Sequence, residues 1–246
     1  MQKNLWAYVL NVIVLFMLAG SAAAFPSDSS PVPEHLQLAR MLVAEIAPGD
    51  TSYRHKNGVV WKNAQPSSHY EAHTDCSGFI NALLEKAESP AINYLMKTAS
   101  RRYPPRAKEY AALITSQEGF QSIPILSDVA PGDIIAIKYP ADRKDTGHVM
   151  LIDSIPVLRN KPTKPIVHGT QQWEVTVLDS TKSPHGSSDS RINPDGSKRN
   201  GVGRGSIRIY TDEHNKPLGY SWSSSATSVF HASALTPLLI GRPTQK

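Results

Sequence analysis

Apolar residues recur at helical spacing in the first half of the chain and alternate with polar ones in the second. Leu36, Ala39, Leu42, Val43 and Ile46 lie on one face of a helix over residues 34–47, which Pro48-Gly49 ends. Phe79, Ile80, Leu83, Leu84 and Ala87 form a second apolar stripe, predicting a helix over 76–88 with Asp75 at its N-cap. Weaker helical patterns cover 91–99 and 106–116, the latter after Pro105. From Pro131 the period changes to strands, at 134–139, 148–156, 174–181, 206–211 and 218–222, with a turn at His214-Asn215-Lys216-Pro217 joining the last two.

Helices followed by an antiparallel sheet predict an α+β fold. Residues 51–74 read as polar and irregular, carrying Tyr53, His55, Trp61, Tyr70 and His73 up to the chain's one cysteine. Residues 89–128 read as a helical insertion between that cysteine and the sheet. A long loop over about 182–205 holds His185, Arg191, Lys198, Arg199 and Arg204 among Gly and Ser, and suits either a lid or a disordered segment.

At the N-terminus, Lys3 precedes an apolar run over 5–18, and Ala22-Ala23-Ala24 supplies small residues for cleavage. Residues 1–24 are therefore expected to be a secretory signal peptide. Residues 25–33 would be a mobile Ser/Pro-rich leader, and 34–246 a single domain. The mature protein is expected to be periplasmic or secreted, with no stable membrane span. Composition is that of an ordinary globular protein, 40% apolar and 19% charged, with no repeat. The net charge of +5 is spread along the chain, and no nucleic-acid motif accompanies it.

A single cysteine excludes an internal disulfide, and a thiol left unpaired in an oxidising compartment suggests that its reactivity is used. Cys76 would sit in the first turn of its helix, among unpaired N–H groups at the positive end of the dipole, which favours thiolate over thiol. The plainer alternative is a small residue packing the helix start. Zinc is not expected, because neither C-x-x-C nor H-x-x-x-H occurs, and no cofactor is implied. If residues 148 and 179 pair in an antiparallel hairpin, one face reads His148, Met150, Ile152 against Asp179, Val177, Val175. That apolar face ends in a His–Asp pair, the arrangement in which a carboxylate fixes an imidazole's orientation.

Asp75-Cys76-Ser77-Gly78-Phe79-Ile80, Pro131-Gly132-Asp133-Ile134-Ile135 and Gly147-His148-Val149 stand in an order that resembles the NlpC/P60 family of papain-like cysteine peptidases. The resemblance implies a papain-like α+β fold, with the nucleophile helix packed on an antiparallel sheet. It implies Cys76 as nucleophile, His148 as base and Asp179 as the orienting third member, although the family more often has His, Asn or Gln there. His168, at the other end of the same hairpin, is the rival. A tyrosine beside the oxyanion site would be Tyr53 rather than Tyr70, and Asp75 and Ser77 would line the site for a substrate amine. The implied substrate is a peptide, above all a peptidoglycan stem peptide. A non-catalytic wall-binding or assembly protein, and a thiol acyltransferase or amidase with another substrate, are the alternatives.

Overall fold

The computed structural model describes residues 31–55, 58–64, 66–100 and 104–245. The signal peptide expected over 1–24, and the leader up to residue 30, lie outside them. Four helices form among the described residues: α1 (Glu34–Glu45), α2 (Cys76–Lys86), α3 (Pro90–Thr98) and α4 (Ala107–Ser116). None is long and apolar enough to cross a membrane. Residues 51–74 contain a small sheet of β1 (Thr51–Ser52), β2 (Gly58–Val60) and β3 (Glu71–His73), in the order β1-β3-β2. Its last strand runs straight into the start of α2.

The second sheet holds nine strands: β4 (Phe120–Ser122), β5 (Ile134–Lys138), β6 (Gly147–Ile152), β7 (Val157–Leu158), β8 (Gln171–Thr181), β9 (Gly201–Thr211), β10 (Pro217–Ser221), β11 (Phe230–Ala232) and β12 (Leu238–Pro243). Eight of them follow the order β11-β10-β9-β8-β6-β5-β12-β4, and β7 pairs with β8. Every pairing in this sheet is antiparallel.

Because side chains alternate along each strand, the sheet buries two apolar layers. On one face Ile134, Ala136, Val149, Leu151, Leu178 and Val202 pack with Leu36 and Leu42 of α1, the apolar stripe of α2, Ala91 and Leu95 of α3, and Tyr110 and Ile114 of α4. Residues 89–128 thus contribute directly to this core. On the other face Ile135, Ile137, Met150, Ile152, Val175, Val177, Ile207, Ile209, Tyr220, Leu238 and Ile240 meet one another, as β10 approaches β12. Fully burying such side chains stabilises by about 1.5–3 kcal/mol each, so both layers contribute to holding the sheet.

The expected papain-like NlpC/P60 α+β fold is corrected here. The protein is predominantly β, and its helices cover one face of a nine-stranded antiparallel sheet. The difference comes from strands that alternation does not reveal. β4 and β11 are only three residues long, β12 carries Gly241 and Pro243, and β9 extends six residues before Ile207 through a glycine-rich stretch. β12 pairs with both β5 and β4, and so lengthens the sheet on that side.

Candidate active site

Cys76 opens α2, and Asp75 caps it: the Asp75 carboxylate accepts from the backbone N–H of Gly78 at 2.8 Å and from the Ser77 hydroxyl at 3.1 Å. The helix start is pinned to the large sheet by Ser180, whose hydroxyl donates to the carbonyl of Thr74 at 2.7 Å. Asp179 is the neighbouring residue on β8, so this one bond sets the start of the thiol's helix against the carboxylate's strand.

The register of β6 and β8 differs from the expected one by two residues. Leu151 pairs with Leu178 and Ile152 with Val177, in place of Met150 with Val177. A shift of two preserves the face of every side chain. His148 and Asp179 therefore remain on one face, at diagonal positions, and a diagonal lies within reach of a long side chain. The His148 Nε2–H donates to Asp179 Oδ2 at 2.6 Å. Cys76 and His148 line the same cavity, and with Nε2 committed to Asp179 the ring nitrogen left for sulfur is Nδ1. Cys76 and His148 are each 5% exposed, and Asp179 is wholly buried.

The charges follow from this packing. Burial opposes a proton on His148, but the negative charge at Cys76, the hydrogen bond to Asp179 and the charge of Asp179 together push it up to about 10. Burial likewise opposes ionisation of Asp179. The charges of His185 and Arg191, with hydrogen bonds from His148 and His185, overcome it and hold the carboxyl well below the usual range.

His185 and Arg191 lie in the segment between β8 and β9, for which the sequence suits a lid or a disordered loop. That segment is packed. His185 and Arg191 are fully buried, and Asp189 nearly so. His185 Nε2 donates to the same Asp179 Oδ2 at 2.9 Å, and its Nδ1 donates to the carbonyl of Trp222 at 2.8 Å. Both partners are acceptors, so His185 donates at both nitrogens. Arg191 donates to Asp179 Oδ1 at 2.9 Å and grips Asp189 with two parallel bonds of 2.8 Å. Asp189 in turn accepts the backbone N–H of His185 at 2.7 Å. Trp222 covers both imidazoles, its ring 4.8 Å from that of His148 and 4.4 Å from that of His185.

A sequence signal for this network exists in the alternation Gly201-Val202-Gly203-Arg204-Gly205. Gly203 pairs with Asp179 and Gly205 with Val177, so these glycines share the Asp179 face. A Cβ at Gly203 would meet Arg191 Nε at 2.8 Å, and one at Gly205 would run into the Asp189 carboxylate. The strand leaves out side chains where the buried charges lie.

The thiol opens into a cavity of about 660 Å³ lined by Tyr53, Asp75, Cys76, Ser77, His148 and Trp222, among others. Tyr53 follows β1, and its hydroxyl is pushed up, first by burial and then by the charges of Cys76 and Asp75. Tyr70 is instead a core residue, its ring edge-on to Trp61 at 6.4 Å. His168 is exposed in the turn before β8 and does not line the cavity. The structure thus brings together Cys76, His148, Asp179, Tyr53, Asp75 and Ser77, and leaves His168 apart.

His148, Asp179 and His185 present donor atoms within 4.8 Å of one another, a set whose chemistry suits a metal ion. Both Nε2 atoms hydrogen-bond one oxygen of Asp179, and the Arg191 guanidinium takes the other.

No family model matches the chain, and no solved structure does, so no structural neighbour supports a papain-like fold. Among curated proteins the chain is similar to the uncharacterized protein R653 of Acanthamoeba polyphaga mimivirus, 37% identical over 220 residues that cover 85% of this chain and 96% of the viral protein. The chain belongs to the family of that viral protein.

Proposed function

We propose that this protein is a cysteine-dependent hydrolase of amide bonds. The observation that carries the reading is the buried His148–Asp179 pair, which shares one cavity with the Cys76 thiol at a helix start. The resemblance of three short segments to NlpC/P60 peptidases supports the chemistry. It lends no support to that family's fold.

In the first step the Cys76 sulfur attacks the amide carbonyl carbon and forms a C–S bond, while N–H groups of the first turn of α2, including that of Cys76, receive the oxyanion. The His148 imidazolium then gives its proton to the leaving nitrogen, the C–N bond breaks, and a thioacyl group remains on Cys76. Neutral His148 next takes a proton from water, hydroxide adds to the thioacyl carbon, and the C–S bond breaks to release the acid and restore the charged pair. Asp179 holds the ring in place throughout and stabilises its cationic form. His185 and Arg191 keep Asp179 ionised and immobile.

The substrate class proposed is a peptide, with peptidoglycan stem peptides first among those to be tried, and export after cleavage near Ala24 is part of the same reading. Mass spectrometry of the exported protein should find Phe25 at or near its N-terminus. The function is tested by incubating the mature protein with sacculi and with defined stem peptides and analysing the products by mass. New amine and carboxyl ends that vanish with Cys76→Ala support a thiol hydrolase. Cleavage that survives Cys76→Ala would remove the thiol from the mechanism.

A further inference from the structure

We infer that the cleft selects an amide substrate carrying a carboxylate near the bond to be cut, through Arg143 and Lys182 at its rim. This deepens the proposed function and rests on it. Besides the thiol and His148, the cavity is lined by Arg143, Lys144 and Lys182, and by the acids Asp75 and Asp145. Asp75 is already occupied as the cap of α2 and as acceptor of the Ser77 hydroxyl, with His55 Nδ1 3.3 Å from its other oxygen. Arg143, Lys144 and Lys182 have no ion pair with a carboxylate among the described residues.

Two of these cations are held in place by the cavity's own aromatic rings. The Arg143 guanidinium lies 4.7 Å from the centre of the Tyr139 ring, and Lys182 Nζ lies 5.3 Å from that of Tyr53. Both rings line the same cavity as Cys76. A cation resting on an aromatic face keeps its position while its N–H groups stay open to an incoming anion. Exposed cations without acidic partners also raise the local concentration of anionic ligands, and salt weakens that attraction. Lys182 directly follows Thr181, the last residue of β8, so the strand that carries Asp179 also fixes one of the two cations.

The chain's single cysteine allows a test that does not depend on which substrate is cleaved. Alkylation rate constants of Cys76 are measured with iodoacetate, which carries a carboxylate, and with neutral iodoacetamide of nearly the same size. The ratio of the two rates should fall by about fivefold or more in the Arg143→Ala/Lys182→Ala protein, and should fall with added salt in the wild type. Because the ratio is compared between proteins that both retain His148, the attraction of the imidazolium for iodoacetate cancels. Lys216→Ala, on a distant turn, should leave the ratio where it is. Rapid alkylation with a ratio unchanged in the double variant overturns the inference while leaving the thiol hydrolase standing. A thiol that neither reagent reaches until the protein unfolds overturns both.

Discussion

His148 and Asp179 meet on a diagonal of two neighbouring strands, with Nε2 2.6 Å from Oδ2, because β6 and β8 pair as 151 with 178 and 152 with 177. The same carboxylate oxygen accepts a second imidazole, that of His185. Asp179 must therefore be a double acceptor, and that requirement yields a first prediction.

Asp179→Asn should fold and yet lose most activity. A neutral amide has one acceptor oxygen, and its NH2 group would confront N–H donors where the carboxylate now accepts. A loss of turnover of about 10³–10⁴ is expected by analogy with other Asp–His–nucleophile systems. Cys76→Ala and His148→Ala should each remove nearly all activity, and Cys76→Ala/Asp179→Asn should be no worse than Cys76→Ala alone. His168→Ala should leave turnover intact. Loss with His168→Ala and full activity with Asp179→Asn would make His168 the third member in place of Asp179.

Stability should depend on pH with opposite signs at the two ends. The folded-state values of Asp179 and Asp189 lie below their ordinary 3.8, so their contribution is complete above that value and is lost as pH falls through the lower folded values. His148 is raised from 6.5 to about 10, so its contribution is complete below about 6.5 and is lost as pH rises through about 10. Melting temperatures followed across pH should fall at both ends. The acid fall should be shallower in Asp179→Asn, and an equally steep fall there would assign acid unfolding to other carboxylates.

Arg191→Met should destabilise strongly, because it strands Asp179 and Asp189 in the interior without their shared cation. Breaking a buried pair in this way costs about 3–5 kcal/mol, which urea unfolding would register. Arg191→Lys should recover only part of the loss, since an ammonium cannot reproduce the two parallel bonds to Asp189. Gly205→Ala should act on the same network by pushing its new methyl group into the Asp189 carboxylate. Wild-type stability in Gly205→Ala would mean that the segment between β8 and β9 shifts freely.

The sequence makes some of this site readable and conceals the rest for identifiable reasons. The apolar stripe from Phe79 to Leu84 and the cap at Asp75 are local features, and the structure has both. The His–Asp meeting depends only on strand parity, so it survives a register displaced by two. Arg191 and His185 are hidden because charged residues among Gly and Ser normally face solvent, and burial is acceptable only where several such groups satisfy one another. That mutual satisfaction is a tertiary property. The fold class is obscured for a related reason: β4 and β11, at three residues each, are too short to show alternation and become strands by pairing with the longer β12 and β10, while β12 itself carries Gly241 and Pro243.

The charged state of His148 tests the central claim, that Cys76 and His148 act as a thiolate–imidazolium pair, more directly than any assay of an assumed substrate. Nitrogen-15 NMR of labelled histidine should show both ring nitrogens of His148 protonated through neutral pH, with the proton lost near pH 10. In Cys76→Ala the same titration should move to lower pH, because the largest of the influences that raise it is gone. A wild-type His148 that titrates near its ordinary 6.5, or one whose titration Cys76→Ala leaves unmoved, would contradict the pair and with it the proposed chemistry.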